Sequence, residues 1–149
     1  MTQENKELLL KDLCARLPYG VKCYNMFSEE TRELAAIELD SESTLFCFWD
    51  KRKMFYHQKI YISEFKPYLF PMSSMTEAQK QEFLSVAGYE RREEDCGRHT
   101  ETYYYDMVGH EHNFYQNSDA IDWLNKNHFD YRELIEKGLA LDATGLNIY

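Results

Sequence analysis

Two histidines in one short polar segment come closest, by type and spacing, to a metal site in this chain. His110 and His112 stand two residues apart, and Cys96, His99 and Asp106 precede them as candidate further ligands. Imidazole, thiolate and carboxylate groups are the usual zinc ligands. The segment lacks the H-E-x-x-H spacing that places two histidines on one helix face, and it has no paired cysteines. We therefore predict a solvated loop without metal; a small metal-dependent enzyme that uses His110 and His112 is the alternative.

A second pair, Cys47 and His57, falls on two predicted neighbouring strands. A thiolate beside an imidazole can act as a nucleophile. However, Cys47 stands between Phe46 and Phe48, and a cysteine in such an apolar strand is usually an inert core residue. We therefore expect no thiolate chemistry at this pair.

Nucleotide-dependent chemistry is not supported by the glycine pattern. The chain has 6 glycines, none of them spaced as G-x-G, whereas phosphate-binding loops need glycines where the backbone approaches phosphate closely. Ser73 and Ser74 lack the G-x-S-x-G setting of a nucleophilic serine and fit a helix start better. The sequence therefore predicts no catalytic residue and no cofactor.

A run of tyrosines at positions 103 to 105 is the candidate binding surface. On a strand, Tyr103 and Tyr105 share one face and Tyr104 takes the other. Stacking on nucleic-acid bases normally needs nearby lysine or arginine, whereas Glu101 and Asp106 flank this run. We predict that Tyr103 and Tyr105 contact a partner protein; a half-buried strand with tyrosine hydroxyls at its edge explains the same run without binding.

Composition and charge restrict the class of protein. With 149 residues, 44% of them hydrophobic, the chain suits a single domain, residues 1–149, with a substantial core. The N-terminus has no basic leader segment and no long apolar run, so we expect a cytoplasmic protein with reduced cysteines and no membrane span. The net charge of −9 disfavours direct binding to nucleic acid, and we expect the only tight basic cluster, residues 51–53, to be a solvated turn.

The helices and strands that position these residues are predicted from the spacing of hydrophobic residues along the chain. Leu10, Leu13, Cys14 and Leu17 recur at helical spacing, with Asp12 on the opposite side, and Pro18 ends this first helix. Strands are then predicted at 21–26, 32–39, 44–49 and 54–62. Because their connections are short, we expect an antiparallel meander, either open or curled into a small barrel. The third strand is apolar on both faces and should be central.

Residues 66–77 divide this strand-rich half from a helix-rich half. Pro67 and Pro71 are poor members of a central strand, so regular structure should pause there. Thr76 and Gln79 form a capping box that predicts a helix start. After this helix we expect a charged loop at 90–99, a strand at 100–108, and two final helices. Ser118 should cap the first, with Ile121 and Leu124 turned inward; the second should begin at the Asp130 and Glu133 box and end at Gly138.

Three segments together resemble a family of small uncharacterised proteins of gut bacteria, often encoded within phage-like or mobile elements. They are KDLCARLPYGVK (11–22), KPYLFPMSSMTE (66–77) and DWLNKNHFDYRELIEKGLAL (122–141). The resemblance implies one bacterial cytoplasmic domain, and it carries no activity, cofactor or catalytic residue.

The sequence thus predicts an α+β fold with the order α-β-β-β-β-α-β-α-α, in which the later helices pack on the sheet. Its predicted role is that of a non-catalytic protein-interaction module with an unknown protein partner, and self-association is left open. Besides the metal enzyme, one further alternative remains: an acidic mimic of nucleic acid encoded by a mobile element, because residues from 71 onward carry a net charge of −8.

Overall fold

The computed structural model describes residues 1–39, 44–49, 55–58, 61–95, 100–106 and 118–149. These residues form two units, and one interrupts the other in sequence. The sheet unit comprises Met1–Met72 and His128–Tyr149, and the inserted unit comprises Ser73–Asn127. The α+β class is confirmed, whereas the single-domain assignment stays a prediction.

The helices and strands follow one another along the chain with short 3-10 turns between some of them. The helices are α1 (Gln3–Arg16), α2 (Glu77–Val86) and α3 (Ser118–Lys126). The strands are β1 (Lys22–Asn25), β2 (Glu30–Leu39), β3 (Thr44–Trp49), β4 (Phe55–Gln58), β5 (Phe65–Pro71), β6 (Tyr89–Asp95), β7 (Thr100–Asp106), β8 (Phe129–Asp130) and β9 (Leu141–Asp142). None of the helices in the described part is long and apolar enough to cross a membrane.

The sheet of the first unit is mixed and open. Its order is β4-β3-β2-β1-β5-β8, and β9 also pairs with β5. The meander from β1 to β4 is antiparallel, as predicted, and β5 returns antiparallel beside β1. Strands β8 and β9 run parallel to β5 on its other side. The described strands do not close, so the barrel alternative is wrong.

The pause predicted at the two prolines is also wrong, because β5 runs through both of them. The Met26 N–H donates to the Glu64 carbonyl at 2.9 Å, which makes this a hydrogen-bonded pair. Hydrogen-bonded and non-hydrogen-bonded pairs alternate along an antiparallel ladder. Cys23 and Pro67 are the third pair after Met26 and Glu64, so they form a non-hydrogen-bonded pair and Pro67 needs no N–H toward β1. Pairing with the described strands on the other side starts only at Tyr68, and Pro71 is the last residue of the strand. Neither proline therefore breaks a ladder bond at its position.

The core of the sheet unit lies between α1 and one face of the sheet. Phe46 and Phe48 from β3 both pack edge-on against Phe65, with ring centroids 4.8 and 5.4 Å away. Phe46 is 0% exposed, and Cys47, on the opposite face of the strand, is 1% exposed. Both faces of β3 are therefore buried at its centre, as predicted.

Helix α1 exists as predicted, but its buried face is rotated. Thr2 caps it by accepting a hydrogen bond from the Asn5 N–H at 3.2 Å. Asp12 is fully buried and Cys14 is exposed, the reverse of the prediction. The polar side chain is accommodated because Arg16, one turn later, is buried beside it and forms an ion pair with it.

In the inserted unit, the capping box at Thr76 is confirmed. The Thr76 hydroxyl accepts from the Gln79 N–H, and the Gln79 side chain accepts from the Thr76 N–H. The predicted loop at 90–99 is wrong over its first part, because Tyr89–Asp95 forms β6 and pairs antiparallel with β7. Charged residues fill β6, so it shows no hydrophobic period; the threonines and tyrosines of β7 supply the strand propensity.

The second of the two predicted final helices is wrong as well. Helix α3 begins at Ser118, and Leu124 is buried within it. Residues 131–138 instead form turns, in which Glu133 takes a left-handed φ of 59°. Asp130 still bonds backbone N–H groups, but one and two residues beyond the predicted Glu133: its carboxylate accepts from the Leu134 and Ile135 N–H groups at 2.9 and 2.8 Å. Asp130 therefore bonds the backbone that follows it, but it caps no helix.

Candidate functional site

The turn between β1 and β2 presents an aromatic side chain to solvent. Asn25 fixes the turn: its side-chain oxygen accepts from the Phe27 and Ser28 N–H groups at 2.8 and 3.1 Å. The Asn25 backbone carbonyl accepts from the Glu29 N–H at 3.0 Å. An asparagine that bonds the backbone two residues ahead forms an Asx turn. The backbone that carries Phe27 is therefore held in place by three hydrogen bonds.

Three large apolar side chains are exposed at this end of the sheet. Phe27 is 77% exposed, Tyr61 74% and Met26 42%. Met26 and Tyr61 are close because both bond Glu64: the Met26 N–H donates to its carbonyl and the Tyr61 N–H to its side chain, at 2.9 and 3.2 Å. We call Met26, Phe27 and Tyr61 the tip patch. None of the three belongs to the buried core cluster.

The backbone segments that carry the tip patch bear only negative charge. Within residues 25–31 and 61–65 the charged side chains are Glu29, Glu30 and Glu64, with no lysine or arginine. Glu30 contacts Arg32, the nearest cation along the strand. Aromatic and methionine side chains inside a polar rim are typical of protein interfaces. The tip patch therefore has the composition of a protein-binding surface with an acidic rim.

A second candidate site is a buried ion cluster that contacts the backbone of β8. Asp12 accepts two hydrogen bonds from Arg16, at 2.8 and 3.2 Å, and one from Arg132 at 3.2 Å. The Arg16 guanidinium also donates to the Phe129 carbonyl at 2.8 Å. Both guanidinium groups approach the ring of Tyr131, with Cζ atoms 5.5 and 4.8 Å from its centroid. The cluster joins α1 to the segment after β8, so parts of two of the three segments that carry the family resemblance meet here.

His128 and Tyr149 stack beside this cluster, with ring centroids 3.9 Å apart and planes 13° from parallel. The Tyr149 hydroxyl donates to the Tyr68 carbonyl at 2.8 Å and accepts from the Lys22 N–H at 3.1 Å. Lys22 also donates its ammonium group to the Ile148 carbonyl. These bonds attach the last residues of the chain to β1 and β5.

Three groups near this ion cluster, His128, Tyr149 and Cys23, are held in their neutral forms. Burial, together with the charges of Arg16 and Lys22, lowers the pKa of His128 to about 4, against the effect of a hydrogen bond with the Tyr19 backbone. Burial raises the pKa of the Tyr149 hydroxyl and of the Cys23 thiol. A phenol and a thiol that stay protonated are poor nucleophiles, and an imidazole whose pKa is about 4 is a weak base. We therefore assign this cluster a structural role.

The cysteine and histidine pair predicted on neighbouring strands is partly confirmed. Cys47 lies directly opposite His57 in the β3–β4 ladder. However, burial raises the pKa of the Cys47 thiol, and Glu38, whose carboxylate lies 3.9 Å from the sulfur, raises it further. A carboxylate beside a thiol disfavours the thiolate that nucleophilic chemistry needs.

Four of the candidate ligands of the alternative metal site lie outside the described residues: Cys96, His99, His110 and His112. Asp106 is the last residue of β7. Across the part of the chain that the structure describes, no three histidine, cysteine or acidic residues are placed to hold a metal ion. The metal site therefore stays an untested alternative.

Tyr103 and Tyr105 lie in β7, which confirms the strand predicted at 100–108 over Thr100–Asp106. They pair with Arg92 and Glu90 of β6. Their role in binding stays a prediction. The tip patch was not predicted from the sequence. Asn25, directly before Met26 and Phe27, could have indicated the turn, because asparagine commonly starts an Asx turn.

Comparisons with protein-family models, with curated proteins and with solved structures found no match to this chain. The resemblance to a family of gut bacteria therefore stays a prediction.

Proposed function

We propose that this protein is a non-catalytic interaction module that binds a partner protein through the tip patch. The observation that carries the proposal is the exposure of Phe27, 77%, on a turn whose backbone is fixed by Asn25. Alanine scans of protein interfaces find the largest losses at aromatic side chains that enter a pocket of the partner. Phe27 has the chemistry and the placement of such a residue.

Free-energy arguments support the same assignment. Fully burying a phenylalanine side chain is worth roughly 1.5–3 kcal/mol, and immobilising a side chain on binding costs about 0.5–1.5 kcal/mol. The backbone of the turn is already ordered by its hydrogen bonds, so little further ordering cost opposes binding. Phe27 therefore contributes a net gain as a single side chain, and Met26 and Tyr61 add apolar area toward offsetting the translational and rotational cost of association.

The proposal includes a reducing, cytoplasmic setting, which is supported by free thiols at Cys14, Cys23 and Cys47. The proposed source, a mobile element of a gut bacterium, rests on the sequence resemblance alone.

The test is a quantitative capture experiment with three forms of the protein. Wild type, Phe27→Ser and Leu146→Ser are immobilised and exposed to lysate of a gut bacterium, and captured proteins are compared by mass spectrometry. Leu146 is a matched control, because it is an exposed apolar residue, 48% exposed, away from the turn. We expect partners that wild type and Leu146→Ser retain and that Phe27→Ser loses.

Both variants should stay folded, with stability changes within about 0.5 kcal/mol, because surface substitutions of this kind rarely exceed that value. Thermal melts check this point. If Phe27→Ser retains every partner that wild type retains, the tip patch is not the binding surface.

A further inference from the structure

We propose that the tip patch binds a cationic amphipathic segment of the partner, whose apolar side chains contact Phe27 and whose lysine or arginine pairs with Glu29. This inference rests on the proposed function and specifies its partner. It is carried by the backbone conformation of Glu29 and by the charges around the patch.

Glu29 adopts a left-handed conformation, with φ of 55°. This region disfavours residues with a Cβ, and glycine or asparagine is the usual choice in such a turn. The turn bond at this position comes from the Glu29 backbone N–H, which glycine or asparagine would also supply. This turn bond therefore does not require a glutamate side chain.

Two other non-glycine residues in the described part of the chain have positive φ, and the side chain of each has a partner within the protein. His128, at 58°, stacks on Tyr149. Glu133, at 59°, pairs with the Lys137 ammonium at 2.8 Å. The Glu29 side chain is exposed and makes no ion pair or hydrogen bond with the residues that the structure describes. A carboxylate placed beside Phe27 at a conformational cost is explained by a contact outside the chain.

The charge around the patch selects the class of partner. Glu29, Glu30 and Glu64 lie on the backbone segments that carry the apolar side chains, with Glu30 paired to Arg32, and the chain as a whole carries −9. Nucleic acid and anionic lipid surfaces are repelled by such a rim. A second copy of the chain would bring its own glutamates to the same contact, which disfavours self-association through this patch. A segment that carries lysine or arginine beside apolar side chains complements both the glutamates and the exposed apolar side chains of the tip patch.

A random-sequence peptide display library is the probe. Selection is carried out on the immobilised wild-type protein, and peptides that also bind Phe27→Ser are discarded. We expect the remaining peptides to combine aromatic or aliphatic residues with lysine or arginine, and to bind less tightly as salt concentration rises. Neutral or acidic peptides, or no peptide that depends on Phe27, would overturn the inference.

Glu29→Asn tests the carboxylate itself, because asparagine tolerates left-handed φ and removes the charge. The matched control is Glu133→Asn, which removes the same charge at the same backbone conformation elsewhere. For a selected peptide, Glu29→Asn should weaken affinity about two- to fivefold and reduce its salt dependence, with a melting temperature equal to or above that of wild type. Glu133→Asn should leave the affinity unchanged.

Equal affinity of Glu29→Asn and wild type for the peptide would refute the role of Glu29. The results also separate this inference from the proposed function. If capture from lysate depends on Phe27 but the partner contact has no basic residues, the interaction module stands and the cationic segment fails. If capture does not depend on Phe27, the interaction module itself fails. Dimers on a sizing column that Phe27→Ser abolishes would identify a second copy as the occupant and overturn the inference.

Discussion

Acidification should destabilise the sheet unit through His128. In the fold its pKa is lowered to about 4, first by burial and then by the positive charges of Arg16 and Lys22. In the unfolded chain a histidine titrates near pH 6.5. Between these two values the unfolded chain binds a proton that the folded chain does not. The stabilisation by neutral His128 is therefore fully present above pH 6.5 and is lost as the pH falls toward 4. A shift of this size corresponds to a loss on the order of 3 kcal/mol.

Urea unfolding followed by tryptophan fluorescence measures this loss. The free energy of unfolding is compared at about pH 7.5 and about pH 4.5 for wild type and for His128→Asn. Asparagine tolerates the left-handed φ of 58° at this position but does not titrate. The carboxylates and the other histidines are the same in both proteins, so their contributions to the pH dependence of the unfolding free energy cancel in the comparison. We expect wild type to lose roughly 2–3 kcal/mol more than His128→Asn over this interval. Equal losses would show that His128 is not held neutral in the fold.

Two further predictions concern the core. Asp12→Ala leaves the buried guanidinium of Arg16 without its counter-charge and should cost about 3–5 kcal/mol in urea unfolding; a loss below about 1 kcal/mol would mean that the cluster relaxes or hydrates without difficulty. Phe46→Ala removes a fully buried ring that packs on Phe65 and should also cost about 3–5 kcal/mol in the same assay; a mild effect would show that the sheet collapses around the cavity.

Features that depend on neighbouring residues in sequence were predicted well. Strand β3 was predicted at 44–49 and is observed at Thr44–Trp49, because a run that is apolar on both faces between polar turns has few alternatives. The helix start at Thr76 was predicted correctly because a capping box is contained within four residues. Such signals are complete within the segment that they describe.

Features that depend on distant partners were predicted poorly. The pairing of β5 with β8 and β9 comes from residues 59 and 73 positions later in the chain, and no local pattern indicates it. The same holds for Asp12, whose burial is explained by Arg16 and by Arg132, 120 residues away. A helical wheel places a lone aspartate on the solvent side, because it contains no information about a distant arginine.

The candidate site was missed for a related reason. A phenylalanine between two strands is predicted to be buried, since most phenylalanines are. Only the fold shows that Phe65, Phe46 and Phe48 already fill the core beneath this end of the sheet, and that Phe27 lies outside it. The left-handed conformation of Glu29 is likewise visible only in the backbone angles.

The separation between core and tip patch has a consequence for how binding and folding are measured. The buried cluster of the sheet unit includes residues from α1, β1 and β5 but none of Met26, Phe27 and Tyr61. Substitutions in the tip patch therefore remove exposed apolar area without opening a cavity, and their expected effect on stability is small. Substitutions at Asp12 or Phe46 instead disturb the core, and their expected effect on stability is large. A variant that loses binding but keeps its unfolding free energy must then have lost a contact to the partner, because the core that holds the turn in place is unchanged.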